Sequence, residues 1–502
     1  MNIAELPLQG IETYGKHVSV VFEGQDITNV EMDRAARKLG TGLKKLGVKR
    51  GDRVVLQMPN CPEVLQAFQA VWKIGAIVIP INYMVGEEEI AYIYKDSGAN
   101  TVICSPEYLS KVKGAMSRGP VIRNVIIVAP QAPEGTLSYE TLVEESSEEL
   151  ELVQTDDDEV AAIVYTSGTT GQPKGVMHTH FGLYSNSKAL CDSNPFPHNL
   201  VSLAVLPLCH SYGIGVMNGA FYRGASKTVV LPAVDLKKMF SSIEKYKVES
   251  VAAVPTIYVY MLNFPDADKY DLSSVKFYTC GSAPLALETW KQFKKKFGGE
   301  IAEGWGLTEA AANNTNNPYD ERKKVGSIGI PSKGVVLKIF DDDDHELPPG
   351  EEGEIVLRGP MVMKGYWNKP EATAEAIRDG WLHTGDVGYV DENGFFFITD
   401  RKKDIIIKGG ENISPRTIEE VLYEYPKVSE AAVIGIKDAV YGEDIKAFVT
   451  LKPRETATVE EIMEFCADNM KRFRVPKEIV IMDALPKNLV GKILKKELRK
   501  LQ

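Results

Sequence analysis

The sequence predicts an α/β protein. A large N-terminal domain of stacked α/β subdomains plus a β-rich subdomain is followed by a small C-terminal α+β domain. Three observations carry this. At 502 residues the chain is too long for one ordinary core. Helical apolar rhythms alternate with short β-branched runs through the first three hundred residues. The pattern then changes to strands and acidic turns, and changes again near residue 400. The expected domains are therefore 1–399 and 400–502.

Residues 29–46 carry apolar positions at Met32, Ala35, Leu39 and Leu43, a helical spacing, and GVKRGDRVVLQMPN then gives a turn and a strand. Residues 62–74 read as a helix running into the strand AIVIPIN. Gln66, Gln69 and Lys73 interrupt this region, so it reads as buried core and not as a membrane span. EEEIAYIYKDSGANTVICS supplies helix, glycine turn and strand, and NVIIVAP a further strand. The acidic stretch 144–159 reads as a solvated linker or helix face and leads into the strand AAIVYT. VSLAVLPL, KTVVLP, VESVAAVP and VKFYTCGSAP are the strands of a second α/β unit, and GVVLKIFDDDDHELPPGEEGEIVLRG opens the β-rich part. Beyond DRKKD, a hairpin-like stretch precedes a helix started at Ser414-Pro415. Strands EAAVIG and IKAFVTL and a helix near 459–470 complete the last unit.

Apolar residues make up 44 % and charged residues 25 %, the proportions of a globular chain rather than a disordered one. A formal net charge of −11, with no Arg-rich tract, argues against a nucleic-acid partner. Six cysteines are scattered without a C-x-x-C pair, which suits a reducing compartment and supplies no zinc framework. The first residues, MNIAELPLQG, lack a basic region followed by an apolar run. A cytoplasmic location without a transmembrane segment is the expectation. His178 and His180 form H-x-H without a third partner at metal spacing. Cys209 and Cys280 read as small buried residues, not nucleophiles.

The most informative stretch is YTSGTTGQPKGV, residues 165–176. After a buried strand, Gly168, Gly171 and Gly175 allow turns and close backbone approach. Thr166, Ser167, Thr169 and Thr170 add hydroxyls, and Lys174 adds one cation. That inventory suits the grip of a polyphosphate. It is not a P-loop, because Lys174 is followed by Gly175 and not by Ser or Thr.

In this order of motifs the chain resembles the adenylate-forming superfamily of acyl-CoA synthetases, adenylation domains and beetle luciferases, over nearly its whole length. The resemblance implies that the 166–171 loop with Lys174 holds the β- and γ-phosphates of ATP. It implies that Gly281, Ser282, Ala283 and Pro284 line the adenine and acyl sites. In WGLTE it implies that Trp305 stacks near adenine, Thr308 contacts the α-phosphate and Glu309 helps hold Mg²⁺ through ATP. Asp386 in WLHTGD is expected to accept from the ribose hydroxyls, which suits an acceptor-only carboxylate. Arg401 is expected as a second ribose or phosphate contact, and Asp400 as the hinge. Lys492, in PKNLVGKILKKEL, matches the lysine that bridges the carboxylate and α-phosphate oxygens. A cation there offsets the repulsion of two anions brought together. The implied reaction is carboxylate plus ATP giving acyl-adenylate and pyrophosphate, then acyl transfer to coenzyme A with release of AMP. Between the steps the small domain is expected to turn about Asp400, removing Lys492 and bringing Gly409 and Gly410 to the pantetheine tunnel. Lys471 and Arg472 are candidates for the CoA phosphates.

His210 in PLCHSYGIG is expected to shape the acyl pocket with Tyr212, Gly213, Val216, Met217 and Gly306. Acetate-activating relatives carry tryptophan where this chain has Gly306, so a larger acid is expected. No aspartate follows PLCHSYG to pair with an α-amine, which counts against an amino acid. A medium or long fatty acid fits this apolar set. Aryl or alicyclic acids remain open, as does an acyl-carrier protein as acceptor in place of CoA. A noncatalytic binding protein would be expected to have lost Lys492, Glu309 or the 166–175 loop, and all are present.

Overall fold

The computed structural model describes residues 1–82, 84–166, 172–488 and 491–501. Among the described residues the first sheet has eight strands. From the centre outward in one direction run Ile77–Pro80, Arg53–Gln57, Thr101–Cys104, Asn124–Ile127 and Leu137–Ser138, all parallel. In the other direction Val160–Thr166 pairs parallel with Ile77–Pro80, and Lys174–Thr179 turns back antiparallel. The short strand Gly365–Tyr366 then pairs with Lys174–Thr179 and closes that edge. Parallel strands covered on both faces need continuous apolar runs, and Val55, Ile79, Val102 and Ile163 are all fully buried. Helix Pro62–Lys73, started by a proline, is buried except at Glu63 and Gln66, with Trp72 inaccessible.

The second sheet, of seven strands among the described residues, runs Ile301–Glu303, Phe277–Cys280, Ser250–Ala253, Val201–Ala204, Lys227–Val230, Val18–Phe22 and Gln25–Thr28. All neighbours but the last pair are parallel. Chain order reverses direction at Val201–Ala204, which has Lys227–Val230 on one side and Ser250–Ala253 on the other. Ligand crevices form at the carboxyl ends of strands beside such a reversal.

The acidic stretch after residue 144 is solvated but not a free linker. Glu148 pairs with Arg34 at 2.8 Å, and Leu150 closes over Gly40 of helix Asn29–Lys45. Thr28 and Glu31 form a capping box at that helix's start.

The β-rich part is an antiparallel sheet of Val336–Phe340, Gly353–Arg358, Trp381–Val390 and Ile377–Arg378, with Phe396–Arg401 against Trp381–Val390. Asp400 and Arg401 thus still belong to this sheet by register. The smaller C-terminal α+β domain has its own sheet, in which the hairpin Ile406–Lys408 and Glu411–Ile413 joins Gly442–Leu451, Val428–Asp438 and Glu478–Ile481. Helices Pro415–Glu424 and Val459–Asn469 cover one face of it, burying Ile418, Leu422, Ile462 and Cys466. Among the described residues no helix is long and apolar enough to cross a membrane.

Candidate active site

Four strands of the second sheet point their carboxyl ends at one cavity of about 1660 Å³; three deliver a predicted segment to it, and the fourth delivers Thr256, which the sequence did not single out. Val201–Ala204 leads to His210, Ser250–Ala253 to Thr256, Phe277–Cys280 to Gly281–Pro284, and Ile301–Glu303 to Trp305–Glu309. Thr166 and Lys174, at the facing ends of an antiparallel pair in the first sheet, line the same cavity. Ser167, Gly168, Thr169, Thr170 and Gly171 lie outside the described residues.

Helix Ser211–Arg223 begins with His210, whose Nδ1 accepts the N–H of Tyr212 at 3.3 Å. Burial pushes the His210 imidazole down to about 4, with Lys492 adding to the effect, so the ring is neutral at physiological pH. Next to it the hydroxyls of Ser211 and Thr308 lie 3.2 Å apart. Ser282 has φ +69°, a left-handed conformation held in the loop that follows Cys280.

The Glu309 carboxylate accepts from the Tyr366 hydroxyl at 2.9 Å, and the Lys174 ammonium sits 4.9 Å from the centre of the Tyr366 ring. One residue thus ties the expected metal carboxylate to the expected phosphate cation. Nothing local in the sequence marks Tyr366, which reaches the site through the pairing of Gly365–Tyr366 with Lys174–Thr179. Glu309 offers a single carboxylate facing a large cavity, which fits Mg²⁺, an ion usually held by one or two carboxylates with substrate phosphates.

Asp386 is buried and accepts from the Trp305 indole N–H at 2.8 Å and from the Arg401 Nε at 3.0 Å. Its remaining lone pairs leave capacity for a diol. Asp400 accepts from the Ser414 hydroxyl at 2.7 Å and the Arg416 N–H at 3.2 Å, so its carboxylate lies at the N-terminus of helix Pro415–Glu424.

Lys492 lines the cavity with Arg401 and Asp386. Burial lowers its ammonium to about 8, and the Arg401 guanidinium pushes the same way while Asp386 opposes. Two neighbouring lysines are held in ion pairs, Lys487 with Glu430 at 2.5 Å and Lys495 with Glu419 at 2.8 Å, while Lys496 also lines the cavity. Gly409, Gly410, Lys471 and Arg472 are exposed and do not line this cavity.

Three pocket expectations need correction. A Cβ on Gly213 would lie 2.3 Å from the Pro207 carbonyl oxygen, so this glycine packs its helix onto the preceding loop rather than shaping the pocket. Met217 is buried on another face, beside a separate cavity of about 60 Å³ that Val216 also borders. Gly306 does line the main cavity, but its missing Cβ points at backbone. Ala311 and Ala312, at φ +56° and +78°, fold the chain back until the Ala312 carbonyl oxygen would stand 2.0 Å from that Cβ. Room for a larger acid therefore comes from elsewhere in the cavity.

Burial pushes the Cys209 thiol up to about 12 and Cys280 well above its ordinary value, so neither is a thiolate nucleophile. His180 accepts the Ile3 N–H at 3.2 Å, a structural role. Among the described residues the grouping with metal-like spacing is Asp341, Asp343 and His345 on a polar turn, not the H-x-H pair.

Comparison with known proteins agrees with this geometry. The family model for AMP-binding enzymes matches residues 9–367, and that for the AMP-binding enzyme C-terminal domain matches 417–492. A long-chain-fatty-acid–CoA ligase of Bacillus subtilis strain 168 is 36 % identical over 96 % of this chain and 91 % of its own. The anthranilate CoA ligase AuaEII, solved with anthranoyl-AMP, superposes with a TM-score of 0.95 at 28 % identity, covering 100 % of this chain and 97 % of its own. MatB from Rhodopseudomonas palustris, 30 % identical over 100 % of this chain and 99 % of its own, gives a TM-score of 0.90 in its ATP-bound form and 0.80 as the apo form. The arrangement here is thus nearer the ATP-bound one. The chain belongs to the AMP-binding enzyme family and is an AMP-forming acid–thiol ligase of the acyl-CoA synthetase type.

Proposed function

We propose that this enzyme activates a medium- or long-chain carboxylic acid with ATP and Mg²⁺ and passes the acyl group to coenzyme A. The observation that carries the reading is Lys492 buried in the cavity beside Arg401 and Asp386. A carboxylate oxygen attacks the α-phosphorus, forming the C–O–P anhydride as the bond to pyrophosphate breaks. Lys492 and Thr308 offset the charge gathering on the α-phosphate and carboxylate oxygens. Asp386 and Arg401 hold the ribose, Trp305 flanks the adenine, and Lys174 with Thr166 grips the outer phosphates. Glu309 would hold Mg²⁺, which when bound shields the pyrophosphate charge. His210, neutral, orients the acid without taking its proton, since carboxylic acids are already ionised near neutral pH.

The thiol of CoA then attacks the acyl carbon and AMP leaves. For this step we assign Asp400 as the hinge dividing 1–399 from 400–502, with Gly409 and Gly410 entering the site and Lys471 and Arg472 meeting the CoA phosphates. A cytoplasmic location suits these substrates. The acyl reading rests on the size of the cavity, about 1660 Å³, and on Tyr212 and Val216 in its lining. An aryl acid is the second reading, favoured by Phe196 and Tyr319, two rings 5.9 Å apart in the cavity lining, and by the likeness to an anthranilate CoA ligase. Following AMP and thioester together over straight-chain, aryl and alicyclic acids tests the reading. Thioester from the straight-chain class supports it, and aryl preference replaces it. AMP without CoA thioester, but with acyl transfer to a carrier protein, would change the acceptor.

A further inference from the structure

A buried cation shares the cavity with the proposed acyl-lining residues. Tyr212, Val216, Gly219 and Arg223 recur on one face of helix Ser211–Arg223, within about 60° of one another at the helical repeat. Tyr212 and Val216 line the cavity, and so does Arg223, the last residue of the helix. Arg223 is 5 % exposed, and among the described residues no carboxylate pairs with it. Its Nε donates to the Ser226 hydroxyl at 2.9 Å and its Nη1 lies 3.6 Å from the Cys191 sulfur. The guanidinium stands 5.8 Å from the centre of the Phe196 ring. A helix-terminal arginine normally reaches into water. This one folds back over Gly219, where a Cβ would lie 3.7 Å from Nη1. The cation is thereby set about 10 Å beyond Tyr212 along the helix.

The walls change character in step. Near Tyr212 the channel is apolar, with Leu203 and Ala252. Deeper along the same parallel strands, Ser202 and Ser250 stand side by side in register, and Asn194 joins them at the lining. A methyl terminus at this end would leave a desolvated guanidinium without a counter-charge, a costly arrangement. A carboxylate would supply the missing counter-charge and fit the planar donor fork.

We propose that the acid carries a second carboxylate at its far end, received by Arg223, so that the substrate class is a medium-chain α,ω-dicarboxylic acid. This rests on the ligase reading of the same cavity. One carboxylate is adenylated while the other stays ionised against Arg223.

The test is specificity at matched length. The full-length enzyme is assayed with ATP, Mg²⁺ and CoA against paired mono- and dicarboxylic acids from C6 to C12, following AMP and thioester. The expected result is a kcat/KM for the best diacid at least about 30-fold above its monoacid partner, the size expected for a buried, hydrogen-bonded charge pair. In Arg223→Met that ratio falls below one. Preference of the wild-type enzyme for monoacids overturns the inference while leaving the ligase reading intact, and needs no variant to fold. An unchanged ratio in a folded Arg223→Met enzyme also overturns it. AMP from neither class overturns the straight-chain reading of the cavity, and the inference with it.

Discussion

The hydroxyl of Thr256 donates to the carbonyl of Gly491 at 2.8 Å, the residue immediately before Lys492. The same hydroxyl lies 3.3 Å from Glu430, which pairs with Lys487. Gly491 has φ +80°, and a Cβ there would approach Val254 to 3.0 Å. The large domain therefore grips the lysine-bearing loop through this hydrogen bond and that of Lys487 to the Tyr260 hydroxyl, beside a glycine whose Cβ would crowd Val254. Thr256→Val should slow adenylation by about 3- to 10-fold, the worth of one neutral hydrogen bond. Acyl transfer from preformed acyl-adenylate should not change. Pyrophosphate exchange and thioester formation, measured separately, check this; equal losses in both would refute the positioning role.

Lys492→Ala should cost adenylation about 10²- to 10³-fold, comparable to removing a donor aimed at developing charge, while thioester formation from acyl-adenylate persists. The pH dependence follows from the same group. Its ammonium, lowered to about 8 by burial, is the form that offsets anionic charge. Adenylation kcat/KM for ATP, which reports the free enzyme, should hold below pH 8 and fall as pH rises through it. A wild-type profile flat to pH 9 would contradict the assignment. His210, lowered to about 4, adds no limb between pH 6 and 8.

Gly306→Trp should not convert the enzyme to acetate. Because the Cβ itself meets the Ala312 carbonyl, even Gly306→Ala must move backbone, at a cost of about 1–3 kcal/mol. A lowered Tm and reduced turnover of every acid are expected. An acetate-active, fully stable Gly306→Trp enzyme would show that the 306–312 turn relaxes freely.

Lys73 and Asp33 form an ion pair at 2.8 Å with both side chains 3 % exposed, and Arg37 meets the same carboxylate at 2.8 Å. Lys73→Met should destabilise by about 3 kcal/mol, because it leaves a buried carboxylate short of charge. Asp33→Leu combined with Lys73→Met should recover much of that loss. Chemical denaturation of the single and double variants measures both.

Local chemistry was enough for much of this protein. The spacing of Met32, Ala35, Leu39 and Leu43, the β-branched parallel strands and the Ser414-Pro415 helix start each follow from short-range periodicity and backbone preference, so the α/β architecture was legible in the chain. So was the family, because its motifs are contiguous and ordered. What tertiary structure alone decided is which side chains share a space. Tyr366 between Glu309 and Lys174, Thr256 beneath Gly491, Arg223 in the lining of the main cavity, and Ala312 standing where a Cβ on Gly306 would point are all placements set across folded loops or adjoining sheets. No periodicity encodes them. They depend on strand register and on where each loop turns, which the whole packed core sets at once.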